Sequence, residues 1–90
     1  MAVIDNIIAE RRMQYGDFLR QSQITADLKG VMRSYVAWEE QLAPDQREAL
    51  EMFAVKIARI LNGNPNYADN WRDIEGYARL VANRLSETVE

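Results

Sequence analysis

A chain of 90 residues with 48% hydrophobic content is long enough for one folded domain and too apolar for a disordered one. Its 14 acidic and 11 basic residues leave a net charge of −3, which argues against non-specific nucleic-acid binding. With no cysteine and no histidine there is no disulfide, thiol nucleophile, imidazole base or conventional zinc site, so serine–histidine and cysteine–histidine hydrolysis are excluded.

The opening Met1-Ala2-Val3-Ile4-Asp5 reaches a charge too early for a signal peptide. No stretch approaches the ~18 uninterrupted apolar residues of a spanning helix. A single domain over residues 1–90 is expected, cytosolic and without a membrane partner.

In chain order, the first predicted helix runs roughly from Val3 to Met13, with Ile4, Ile7, Ile8 and Arg11 on one side. It ends at Tyr15-Gly16-Asp17, where Gly16 suits a left-handed C′ position and Asp17 the N-cap of the next helix. Ile24, Leu28, Val31, Tyr35, Trp38 and Leu42 follow at alternating four–three spacing, which predicts one helix of nearly seven turns. Gly30 interrupts that stripe and suggests a kink or a close helix contact. Pro44 suits the first turn of a third helix, carrying Leu50, Phe53, Ile57 and Ile60 on one face. Asn62-Gly63-Asn64-Pro65-Asn66 is the strongest breaker in the chain. The last helix, from about Ala68 to Thr88, puts Trp71, Ile74, Ala78, Val81 and Leu85 on its core face.

No segment alternates with a period of two. The expected fold is therefore all-α, a small four-helix bundle. So short a bundle leaves part of its apolar seams uncovered, and completion by homo-oligomerisation is expected. Tyr35, Trp38, Met52 and Phe53 are the candidates for that second surface.

Four sets of residues carry candidate chemistry. Arg11, Arg12, Tyr15, Gly16 and Asp17 cluster at a helix junction, where arginines can meet phosphates and a tyrosine face can stack on a base. Lys56 and Arg59 share a helix face and could hold phosphate oxygens, or pair with Asp69, Asp73 or Glu75 instead. Tyr77 lies off the last apolar stripe beside Gly76, whose missing side chain suggests close approach by a ligand or another backbone. Glu48, Glu51, Asp69 and Asp73 are oxygen donors of the kind a hard cation takes, and equally the acidic starts that helices favour.

Read together, three stretches resemble a family of small phage and prophage proteins of unassigned function. They are the E-R-R-M-Q-Y-G-D-F start from Glu10, the E-A-L-E-M-F-A-V-K-I-A-R-I-L-N-G helix from Glu48, and D-N-W-R-D-I-E-G-Y-A from Asp69. The resemblance implies a phage protein at work in the cytosol of a bacterial host. A looser similarity joins Glu48-x-x-Glu51 and the Asp69/Asp73 pair to the all-helical MazG-like nucleotide pyrophosphohydrolases, which hold magnesium against a triphosphate. Those enzymes usually carry E-x-x-D in the later motif, and here Asn70 stands three before Asp73.

The first expectation is thus a non-enzymatic protein that sequesters a nucleotide-like ligand, such as a host-defence signalling nucleotide, with no cofactor. Arg11, Arg12, Tyr15, Gly16, Asp17, Lys56, Arg59 and Tyr77 would form its site. The alternative is a magnesium-dependent pyrophosphohydrolase using Glu48, Glu51, Asp69 and Asp73. A third is a helical inhibitor of a host protein, offering an apolar helix face.

Overall fold

A computed structural model describes residues 2–87, and all of its regular structure there is helical. The helices are α1 (Ala2–Tyr15), α2 (Phe18–Arg33), α3 (Ala37–Glu40), α4 (Pro44–Asn62) and α5 (Ala68–Glu87). The expected end of the last helix at Thr88 lies outside the described residues. No described helix is long and apolar enough to cross a membrane.

The all-α class holds, with five helices in place of four. The expected seven-turn helix divides into α2 and α3 at Ser34-Tyr35-Val36. Ser34 Oγ donates back to the Val31 carbonyl at 2.6 Å, offering the backbone an alternative to further helix. Beyond the break, Arg47 Nε and Nη2 donate to the carbonyls of Trp38 and Glu39 at 2.8 and 3.0 Å. That tie satisfies carbonyls at the end of α3 from a distance. Trp38 is 5% exposed, so it belongs to the core and not to a second surface. Tyr35, at 68%, is exposed, and Met52 and Phe53 are half-buried. Gly30 marks no close contact, because a side chain there would meet open space, and α2 runs through it to Arg33.

α4 is the centre of the molecule and packs along both α2 and α5. Its fully buried positions are Ala49, Ala54, Ala58 and Lys56, while Leu50, Phe53 and Ile60 are half-buried. Small residues on the central helix let neighbours approach on two sides, which a stripe of large side chains would prevent. Pro44 opens α4 as expected, and Gln46 Oε1 accepts from the Ala43 N–H at 2.8 Å. On α5, Trp71 departs from the expected core stripe: it is 55% exposed and donates from Nε1 to the Pro65 carbonyl at 2.9 Å.

Ion pairs tie the row of helices together, two of them hydrogen-bonded through arginine. Arg84 on α5 clasps Asp45 through two hydrogen bonds of 2.9 and 2.6 Å, and Arg33 on α2 meets Glu51 at 2.9 Å. The Arg84 and Arg33 hydrogen bonds hold the Asp45 and Glu51 carboxyls below their ordinary range. Their contribution is therefore complete above the unfolded carboxylate pKa, about 4, and is lost as pH falls through the lower folded values. Asp45→Asn with Glu51→Gln should lower stability at neutral pH and flatten its decline on acidification. Urea midpoints measured across the acid range check both effects.

Candidate functional site

The junction between α1 and α2 occupies two residues. Gly16 sits at φ +80° and donates its N–H to the Arg12 carbonyl at 2.8 Å, ending α1 in the left-handed region that glycine favours. Asp17 is the N-cap of α2, its Oδ2 accepting from the Arg20 N–H at 3.2 Å. Both expectations for this turn are met. The tight reversal sets the last turns of α1 opposite the first turn of α2.

The C-terminal end of α4 closes the third side. Asn62 Nδ2 donates to the carbonyls of Tyr15 and Asp17 at 3.0 and 2.8 Å. The Asn64 N–H donates to the Gln14 carbonyl at 2.8 Å. A Cβ on Gly16 would overlap the Asn62 carbonyl, and one on Gly63 would overlap the Gln14–Tyr15 backbone. The Y-G-D and N-G-N segments, far apart in the chain, therefore interlock through two glycines and two asparagines.

Above this interlock lies a cleft of about 330 Å³, within the size range of small-ligand sites. Arg11, Arg12, Tyr15, Gly16, Asp17 and Arg59, all expected site residues, line it together. Three arginines face one carboxylate there, so its field is positive in a chain that is acidic overall. Among the described residues no carboxylate lies within ion-pair distance of Arg11, Arg12 or Arg59. The Arg59 guanidinium stands 4.2 Å from the Tyr15 ring centroid and that of Arg11 stands 5.4 Å away. Tyr67 meets the same ring edge-on at 6.1 Å. Tyr15 thus acts as a platform that orients guanidinium groups, and its face is not open for a base to stack.

One buried polar atom at the cleft lacks a partner: Arg59 Nε makes no hydrogen bond. Gln21, 8% exposed, has no side-chain hydrogen bond among the described residues either, but its amide keeps contact with solvent. A buried donor left unpaired costs about 1–3 kcal/mol, so such groups call for a ligand or another explanation. Gln21, Phe18 and Ile8 complete the lining and were not among the expected residues. Phe18 closes the Y-G-D-F run, and Gln21 lies one turn beyond the Asp17 cap; those positions are the signal that could have found them.

Lys56 and Tyr77 lie elsewhere. Lys56, though three residues from Arg59, is buried and pairs with Asp73 on α5 at 2.8 Å, the intramolecular reading of this residue. Tyr77 borders a separate shallow depression on α5 with Arg72, Asp73 and Gly76. Among the described residues nothing approaches Gly76 closely.

The four acidic candidates do not converge. Glu51 meets Arg33 and Lys29, Asp73 meets Lys56, and Asp69 lies 3.5 Å from Arg72. Asp69 also pushes the Tyr67 phenol up by accepting its hydrogen bond. Among the described residues no three acidic side chains stand close enough to hold a metal ion, so Glu48, Glu51, Asp69 and Asp73 do not form the expected magnesium set.

A family model described as a domain of unknown function, DUF6378, matches residues 2–85. The chain belongs to the DUF6378 family. The matched span contains every residue of the cleft and both halves of the glycine–asparagine interlock. Comparison with curated proteins and with solved structures returned no match.

Proposed function

We propose that this DUF6378 protein is a non-enzymatic binding protein that sequesters a nucleotide-like anion in the Tyr15 cleft. The observation that carries the reading is the buried, unpartnered Arg59 Nε in one positively charged cleft. Arg11, Arg12 and Arg59 would take phosphate oxygens, for which a guanidinium fork is well shaped. Phe18 and Ile8 are 76% and 59% exposed at the same cleft and would cover an apolar or aromatic moiety. Asp17, the carboxylate of the lining, is engaged as a helix cap. The cleft thus supplies holding groups, which suits capture of an intact ligand. The likeness of the Y-G-D-F and E-A-L-E-M segments to small phage proteins supports capture in an infected bacterium, where withdrawing a signalling nucleotide would blunt host defence.

The test incubates the purified chain with mixed linear and cyclic nucleotides, removes unbound material, denatures the protein and identifies what is released by mass spectrometry. The expected result is an intact nucleotide at near-stoichiometric yield. Arg59→Gln should lower affinity ~10- to 100-fold, the worth of a charge-assisted hydrogen bond, in calorimetric titrations of the ligand so identified. Release of nothing by the wild-type chain contradicts the reading.

A further inference from the structure

The molecule carries more surface than a chain of its mass needs. Its accessible area is 6702 Å², against about 5,400 Å² for a compact monomer of 10.4 kDa. Its radius of gyration is 15.6 Å, against about 12 Å for a compact domain of this length. The excess, roughly 1,300 Å², exceeds the ~800 Å² that each partner contributes to a standard protein interface.

Two apolar features account for the shape. α1 has no buried residue, and Val3, Ile4, Ile7 and Ile8 are 73%, 53%, 51% and 59% exposed. Positions 4 and 7 fall on one face of that helix, while Ile8 lines the cleft. The second feature is a groove of about 350 Å³ between α4 and α5, lined by Leu50, Phe53, Val81 and Ala82 among others, with Gln46 its one polar side chain. A chain's own α1 does not line this groove. It is tied instead to the Asn62–Asn64 end of α4, about 18 Å along the helix from Leu50.

The geometry points to a homodimer in which α1 of each protomer lays its isoleucine face into the α4–α5 groove of the other. A two-fold axis satisfies both contacts at once, since each protomer has one arm and one groove. An apolar helix face in an apolar groove is a recurrent mode of helix recognition. The arm that docks also carries Arg11, Arg12 and Tyr15, so pairing would fix one wall of the cleft, although the dimer stands independently of any ligand.

Sedimentation equilibrium of the wild-type chain tests the pairing, with Ile7→Asp and Ala82→Glu as variants. Ile7 and Ala82 are both exposed, so neither change removes a core contact, and circular dichroism verifies the helical content. The expected result is a wild-type dimer and two monomeric variants. Because the chain has no cysteine, Ile7→Cys mixed with Ala82→Cys should also give a disulfide between chains under oxidation. A wild-type monomer overturns the proposal. So does a dimer that survives either substitution, which would place the interface elsewhere.

Discussion

Gly16→Ala should cost about 3 kcal/mol, a large share of the roughly 5–13 kcal/mol that a chain of this length commonly has. An alanine held in the left-handed region costs about 1–2 kcal/mol by itself. Here the new Cβ also overlaps the Asn62 carbonyl, so the α1–α2 junction must move away from the end of α4. That movement strains the two hydrogen bonds from Asn62 to Tyr15 and Asp17, each worth about 1 kcal/mol. Because the same contact sets Arg59 against Tyr15, ligand capture should fall with stability. Gly30→Ala is the control of opposite sign: its side chain meets open space inside α2, and it should stabilise by up to ~1 kcal/mol. Urea unfolding of the two variants measures both, and a Gly16→Ala chain as stable as the parent would contradict the interlock.

Trp38→Ala should be at least as damaging, at about 3–5 kcal/mol. Trp38 is the one large apolar side chain among the buried core residues, the others being Ala49, Ala54 and Ala58. Its loss opens a cavity that the buried alanines are too small to fill. The Arg47 hydrogen bonds to α3 would then hold a turn with nothing beneath it. Fluorescence separates the two tryptophans: in a Trp71→Phe background the remaining emission should be that of a buried indole, shifting red on unfolding. An unshifted spectrum would place Trp38 in solvent.

Much of this architecture was legible in the residues. Gly16, Asp17, Pro44 and the Asn62-Gly63-Asn64 break act through local backbone chemistry, and each ends or starts a helix where expected. The division of α2 from α3 was not legible, because Tyr35 and Trp38 continue the apolar spacing across Ser34, whose hydroxyl turns back to the Val31 carbonyl. Trp71 misled for a related reason: it matches the helical period but is drawn to the Pro65 carbonyl at the mouth of α5. At the cleft, Arg11, Arg12, Tyr15 and Arg59 stood out as cations beside an aromatic ring. Gln21 did not, since one polar residue on a helix acquires meaning only once the fold sets it in a cleft. Lys56 shares a helix face with Arg59 by spacing alone; Asp73 on another helix decides its direction.

The most direct test of the central claim is a site-resolved titration: ¹H–¹⁵N spectra of the labelled chain with nucleotides added as a pool and then singly. Binding at the cleft predicts concentrated shifts in the Gln21 side-chain amide, the Gly16 N–H and the Arg59 Nε–H, with Arg59→Gln moving the Gln21 and Gly16 shifts to ~10- to 100-fold higher ligand concentration. Spectra unchanged by every nucleotide, or shifts confined to the α4–α5 groove, would contradict it.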